Sequence, residues 1–251
     1  LNSRRAEEED VTAAVRGIIA DIRARGDAAL VALTNKFDKS NVTIETLRLS
    51  DVEIAAAEEQ CDPKALSALN VAATRIESLH RRQLPQDAWF ADETGAKLGW
   101  RWTALDSVGL YVPGGTASYP SSVLMNAIPA GVAGVGRVAM VTPASGGRIN
   151  PLVLAAAKRA GVTEIYRVGG AQAVAALAHG TASIAPVDKI VGPGNAYVAA
   201  AKREVFGRVG IDSIAGPSEI LVVADGANDP AWIAADLLSQ AEHGSSSQSV
   251  L

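Results

Sequence analysis

Residues 106–116 read DSVGLYVPGGT, and this stretch decides the fold class of the chain. Residues 108–112 form a short apolar run, as expected of a strand that is buried on both faces of a sheet. The run Pro113-Gly114-Gly115 ends the strand with a tight turn, and an apolar segment with helical character follows near 121–133. The stretch therefore predicts a strand–turn–helix unit of a parallel α/β fold.

The same strand–helix order repeats along the rest of the chain. The further predicted strands are 137–141, 164–168, 189–191 and 220–223, and the further predicted helices are 150–160, 170–179, 195–206 and about 230–243. Repeated units of this kind predict a parallel sheet with helices on both faces. The last residues, 248–251, read as the beginning of another strand, so we expect the protein to continue beyond them.

The N-terminal part has a different organisation. Residues 5–38 are predicted to form two helices that are separated at Gly26, because glycine ends one helix and the next begins directly after it. Residues 43–49 are predicted to form a short strand, and residues 51–60 and 63–82 to be helical. Residues 83–105 contain three of the four tryptophans and are predicted to form a surface hairpin.

Composition excludes several classes of protein. The 251 residues carry a net charge of -4, without the basic stripe that nucleic-acid binders use, so neither nucleic acid nor an anionic membrane is an expected partner. No apolar run reaches the ~20 residues of a membrane span. The single cysteine excludes an internal disulfide and fits a reducing cytoplasm, which is the predicted location.

Polar residues occur where three predicted strands end. Tyr111, Gln172 and Asn195 each lie in or beside a glycine-containing turn after a strand. Ligands of doubly wound sheets bind at the carboxyl ends of strands, so these turns predict a site for a nucleotide or another anion. None matches the G-x-G-x-x-G pattern, and blander roles remain open: Tyr111 could pack at a strand end and Asn195 could cap its helix. Gln172, in the first turn of a helix, has no evident structural role.

Two further segments contain candidate residues. Ser218 lies in the run AGPSE at 215–219, which is either a simple turn or a crossover that presents the hydroxyl to a substrate. Gln240 and His243 are three residues apart and share one face of a predicted helix. Imidazole is a good zinc ligand but glutamine a rare one, and a histidine near a helix C-terminus also interacts with the helix dipole. Neither a four-ligand zinc site nor a nucleophile–base–acid triad is evident in the chain.

Five motifs in this order give a resemblance to a known family. They are GLYVPGG at 109–115, VGGAQA at 168–173, VGPGN at 191–195, AGPSE at 215–219 and LSQAEHG at 238–244. Their order and approximate spacing resemble those of the histidinol dehydrogenases. The resemblance runs from the N-terminal helices to the last residue and is densest from 106 to 244.

The resemblance implies an activity and a set of site residues. Histidinol dehydrogenases oxidise L-histidinol to L-histidine through an aldehyde, with two NAD molecules in turn and a zinc ion that holds the substrate. By motif, Tyr111, Gln172 and Asn195 correspond to residues that contact NAD. Ser218 corresponds to a substrate contact, and Gln240 and His243 correspond to zinc ligands that also touch the substrate.

The resemblance also implies what this chain lacks. The acid–base pair of the family, a glutamate followed by a histidine, and two further zinc ligands, an aspartate and a later histidine, are expected beyond residue 251. We therefore expect no catalytic residue in the chain and no turnover by the 251 residues alone. Alternatives are a truncated, non-catalytic homologue that binds a nucleotide, and another anion-binding α/β protein.

The implied architecture is α/β, with two Rossmann-like parallel-sheet domains in a homodimeric full-length protein. Residues 1–24 would form an N-terminal helical segment, and residues 106–218 the central domain. Residues 25–105 plus 219–251 would belong to a discontinuous domain that is incomplete here.

Overall fold

A central parallel sheet with helices on both faces dominates the structure, a computed structural model that describes residues 2–114, 119–214, 219–242 and 247–251. Two units are distinguished, Leu1–Ile214 and Ala215–Leu251. The helices are α1 Asn2–Arg25, α2 Asp27–Asp38, α3 Ile44–Leu47, α4 Asp51–Ala56, α5 Pro63–Arg81, α6 Pro120–Val132, α7 Pro151–Arg159, α8 Gly170–His179, α9 Ala196–Val205 and α10 Pro230–Ala241. The strands are β1 Ala88–Ala91, β2 Lys97–Trp100, β3 Ser107–Tyr111, β4 Arg137–Thr142, β5 Glu164–Arg167, β6 Lys189–Val191, β7 Gly210–Ile211, β8 Glu219–Leu221 and β9 Gln248–Val250.

The sheet of the first unit has the strand order β5-β4-β3-β6-β7, and all its pairings are parallel. The chain enters at the central strand β3, moves outward to β4 and β5, and returns to β6 on the other side of β3. The α/β class predicted from the strand–helix alternation is confirmed. The two-residue strand β7 was not predicted, because two residues carry no recognisable periodicity.

Helices cover both faces of this sheet. Helices α1, α8 and α9 pack together on one face, and α5, α6 and α7 pack together on the other. Neighbouring residues of β3 alternate between the two faces, so that Leu110 belongs to one buried cluster and Tyr111 to the other. Burial on both sides explains why the middle residues of β3 and β4 are apolar.

The predicted strand at 43–49 is wrong. Thr43 and Thr46 form a capping box, which closes the single helical turn α3. After this turn the backbone is extended at Arg48, which bridges Tyr166, and Leu49 donates its backbone N–H to the carbonyl of Ile165 at 2.9 Å. Local side-chain hydrogen bonds therefore prevail over the β-propensity of this segment.

The hairpin predicted within residues 83–105 is confirmed. Strands β1 and β2 pair antiparallel, and the Asp92 carboxylate accepts hydrogen bonds from the backbone N–H groups of Thr94 and Ala96 in the turn. Trp89 and Trp102 are largely exposed. The hairpin thus presents aromatic surface outward.

The second unit contains β8, α10 and β9. Strands β8 and β9 pair in parallel, and the hydroxyl of Ser249 donates to the carbonyl of Leu237 at 2.8 Å. The strand predicted at the end of the chain is confirmed as β9. The discontinuous domain, 25–105 plus 219–251, stays a prediction. Within the described ranges, none of the helices combines the length and apolarity needed to cross a bilayer.

Candidate functional site

The three polar residues predicted at the strand ends lie around one cavity. Strands β3 and β6 are neighbours, and the chain leaves them in opposite directions across the sheet, which is the arrangement that opens a crevice at their carboxyl ends. The cavity there has a volume of about 510 Å³, within the usual range of small-molecule sites of ~300–1,000 Å³. Its lining includes Asp38, Tyr111, Pro113, Gly114, Gln172 and Asn195.

Tyr111 links the end of β3 to the start of α8. Its side chain is buried, and its hydroxyl oxygen accepts a hydrogen bond from the backbone N–H of Gly170 at 3.0 Å. Burial raises the pKa of Tyr111 to about 12, and the charge of Asp38 adds to the rise. Tyr111 is therefore a neutral phenol at physiological pH, able to donate a hydrogen bond but unsuited to removing a proton.

Gln172 is buried without a structural reason. Only 1% of the residue is exposed, and its amide nitrogen Nε2 has no hydrogen-bond partner within the described part of the chain. A buried polar group without a partner costs about 1–3 kcal/mol. A polar side chain kept in the cavity wall at this cost indicates a ligand that hydrogen-bonds to it.

Asn195 caps helix α9. Its Oδ1 accepts a hydrogen bond from the backbone N–H of Val198 at 3.1 Å, so the capping role left open by the sequence is confirmed. The cap uses the amide oxygen and leaves the NH₂ group as a donor. Since Asn195 also lines the cavity, capping holds this donor group beside the site.

Sequence reasoning missed Asp38, the last residue of α2. The backbone N–H of Ala144 donates to its carboxylate, while its Oδ2 is buried and has no partner among the described residues. Burial raises the pKa of Asp38. The available signal was an acidic residue at the C-terminal end of a helix, where the helix dipole disfavours a negative charge.

A partly buried ion pair fixes the turn that follows β6. The backbone N–H of Gly192 donates to Oδ2 of Asp212 at 2.8 Å, and Nζ of Lys202 donates to the carbonyl of Gly192 at 3.0 Å. Lys202 also pairs with Oδ1 of Asp212. The N–H and the carbonyl of Gly192 are thus both hydrogen-bonded, and this positions the chain between β6 and Asn195. These contacts were not predicted from the local sequence pattern, because Gly192, Lys202 and Asp212 lie on different elements.

The remaining predicted site residues belong to the second unit. Ser218 and His243 lie outside the described residues. Gln240 lies on α10, and its Nε2 is buried without a partner among the described residues. No group of three or more His, Cys, Asp or Glu side chains in the described ranges is arranged to hold a metal ion. The zinc ligands therefore stay a prediction.

Comparisons with known proteins agree on one family. The sequence model of histidinol dehydrogenase matches residues 1–251. The chain is 64% identical over its whole length to a histidinol dehydrogenase of Ruegeria pomeroyi and 66% identical to one of Mesorhizobium japonicum, and it spans 58% of the length of each. A crystal structure of histidinol dehydrogenase from Elizabethkingia anophelis superposes with a TM-score of 0.88 at 38% identity, covering 97% of this chain and 59% of that one.

The match extends through the cavity residues and through the five ordered motifs. The chain belongs to the histidinol dehydrogenase family.

Proposed function

We propose that the complete protein oxidises L-histidinol to L-histidine through the aldehyde, with NAD as oxidant and zinc as the ion that holds the substrate. The observation that carries this proposal is the cavity beside β3 and β6, which brings Tyr111, Gln172 and Asn195 together. These are the residues that the family resemblance relates to NAD. The names of the relatives supply the substrate, L-histidinol.

The residues of the cavity fit NAD in their hydrogen-bonding chemistry. Gln172 offers an amide whose nitrogen has no partner in the described chain, and Asn195 offers the NH₂ group left free by its cap. Ribose hydroxyls and phosphate oxygens accept such donors. The first residues of α8 add backbone N–H groups at a helix N-terminus, which favours phosphate. NAD, when bound, would supply the acceptor for hydride from the substrate.

Proton removal is proposed to come from residues outside this chain. Oxidation of an alcohol needs a base for the hydroxyl proton, and the second oxidation needs a water molecule to be deprotonated. The phenol of Tyr111, with a pKa of about 12, does not supply that base near neutral pH. The Glu–His pair that the resemblance implies beyond residue 251 would do so.

Gln240 and His243 are proposed as two zinc ligands, and Ser218 as a contact to the substrate. Zinc would bind Gln240 through its amide oxygen, and Nε2, which has no partner among the described residues, would remain as a donor for the substrate. The ion would hold and orient the substrate without changing its oxidation state. The other ligands, a homodimeric assembly and a cytoplasmic location are proposed from the family resemblance.

The overall proposal is tested on the complete protein. Purified protein should contain zinc by elemental analysis and form two NADH per L-histidinol, followed by absorbance. Replacing His243 by asparagine should lower both zinc content and kcat, because it removes an imidazole ligand. The control is His80→Asn on α5, where the ring lies at the surface beside Gln83. Unchanged zinc content in His243→Asn would contradict the ligand role.

Gln172→Met tests the NAD site separately. Methionine has a similar volume and no polar atoms that need a partner. In the absence of ligand, the free energy of unfolding of the variant should therefore be about 1–2 kcal/mol higher than that of the parent. It should bind NAD roughly tenfold more weakly, since a hydrogen bond to the ligand is lost. Calorimetric titration and urea unfolding measure the two effects. The control is Gln60→Met, whose amide is exposed and bonded to Ala56.

The outcomes separate the competing functions. Loss of affinity together with loss of stability would mean that Gln172 supports the fold rather than the ligand. NAD binding by the complete protein without zinc or turnover would favour the non-catalytic nucleotide-binding homologue. Absence of both NAD and zinc binding would favour a different anion-binding protein. Turnover of L-histidinol by residues 1–251 alone would refute the assignment of the base to residues beyond 251.

A further inference from the structure

A second cavity, of about 390 Å³, lies in the first unit and is lined by Arg23, His179, Gly180 and Arg208. Its volume is within the range of small-molecule sites. Three elements contribute to it: the last turn of α1, the end of α8, and the loop between α9 and β7.

This cavity lies at the edge of the sheet opposite to the first one. Helix α8 begins at Gly170 beside Tyr111 and ends at His179, so its ten residues span the two cavities. A helix of that length covers about 15 Å. The second cavity is therefore separate from the proposed NAD site.

The two arginines of this cavity are exposed, and neither forms an ion pair with a residue of the described part of the chain. No ion pair or hydrogen bond involves the side chains of Arg23, His179 or Arg208 among the described residues. On α1 and α9, Asp21 pairs with Arg25 and Glu204 pairs with Arg16, whereas Asp27 at the start of α2 accepts a hydrogen bond from the hydroxyl of Ser183. Among the described residues, none of these carboxylates is ion-paired with Arg23 or Arg208.

The charges of both arginines reach the imidazole of His179. Burial lowers the pKa of His179, and the charges of Arg23 and Arg208 lower it further. Basic residues at helix C-termini also interact favourably with helix dipoles. The dipoles do not require two arginines and a histidine from three elements to converge on one cavity. Convergence of this kind is typical of a site for a multiply charged anion.

We propose that Arg23, His179 and Arg208 bind the phosphate group of a small molecule in this second cavity. The planar guanidinium presents paired N–H donors that match the oxygens of phosphate. The imidazole adds a third donor. The ligand is either inorganic phosphate or a phosphate ester.

The test is a titration of the complete protein with inorganic phosphate and with ribose 5-phosphate, observed at the ring resonance of His179. His179→Gln identifies this resonance by its loss. We expect a saturable shift, and we expect Arg23→Gln and Arg208→Gln each to weaken binding about tenfold. Tighter binding of ribose 5-phosphate would identify an ester as the ligand, and equal binding would identify free phosphate.

Two controls keep the result specific. Sodium chloride at equal ionic strength should not reproduce the shift, because screening is not saturable binding. Arg75→Gln removes an exposed arginine of α5 that does not line the cavity, and it should leave phosphate binding unchanged. An unmoved His179 resonance, or equal weakening in Arg75→Gln, would overturn the proposal. Since the readout is local to His179, neither result depends on the NAD site.

Discussion

Replacing Lys202 by methionine is expected to lower the free energy of unfolding by about 1–3 kcal/mol, the usual loss when a buried acceptor, here the Gly192 carbonyl, is left without its hydrogen-bond donor. Only 3% of Lys202 is exposed, and its ammonium donates to the Gly192 carbonyl and to Asp212. Methionine fills similar space but leaves both acceptors without this donor. Urea unfolding at neutral pH measures the loss.

The matched control is Lys158→Met, which breaks an exposed ion pair with Glu58. Exposed ion pairs contribute about 0–1 kcal/mol to stability, so the free energy of unfolding of this variant should be close to that of the parent. Equal losses in the two variants would contradict a special role for the Lys202 pair.

The Lys202 pair also predicts a pH dependence. Burial alone would raise the pKa of Asp212, but hydrogen bonds from Lys202, Gly192 and Ser213 outweigh it and hold the pKa below its ordinary value. Because the folded-state pKa is the lower one, Asp212 contributes stability above the ordinary carboxyl pKa, and this contribution is lost as pH falls through the folded-state pKa. The stability difference between the parent and Lys202→Met should therefore narrow at acid pH.

Replacing Gly192 by alanine should lower the free energy of unfolding by about 2–4 kcal/mol. The φ of Gly192 is +111°, and an added Cβ would lie 2.1 Å from the backbone oxygen of Tyr111. Backbone strain and overpacking against a main-chain atom each cost about 1–3 kcal/mol. The same contact would displace the end of β3, so NAD affinity should fall with stability.

The control for Gly192→Ala isolates backbone strain. Gly207 has a φ of +95°, but an added Cβ would meet no neighbouring atom there. Replacing Gly207 by alanine should therefore lower the free energy of unfolding only through backbone strain, by about 1–2 kcal/mol. Urea unfolding of both variants gives the comparison. If Gly207→Ala and Gly192→Ala lowered the free energy of unfolding equally, the close approach to Tyr111 would not contribute to the effect of Gly192→Ala.

Local sequence patterns predicted the helices and strands best where strands and helices alternate regularly along the chain. The alternation of short strands with helical segments correctly indicated β3, β4, β5 and β6, because parallel α/β units repeat in this order. The segment 43–49 was mistaken for a strand because β-branched residues also occur where Thr43 and Thr46 cap a helical turn. Side-chain hydrogen bonds between near neighbours decide such cases, and hydrophobic periodicity does not reveal them.

For this protein, the sequence by itself determined the α/β class, the family and three of the cavity residues, Tyr111, Gln172 and Asn195. It could do so because parallel strands bring their carboxyl ends to one edge, so residues that follow separate strands become neighbours. Only the tertiary structure decided that Asp38 reaches the same cavity, that Lys202 and Asp212 hold the Gly192 turn, and that Arg23 and Arg208 meet at His179. These contacts join distant segments through side-chain direction and burial, which depend on how the helices pack and not on any local pattern.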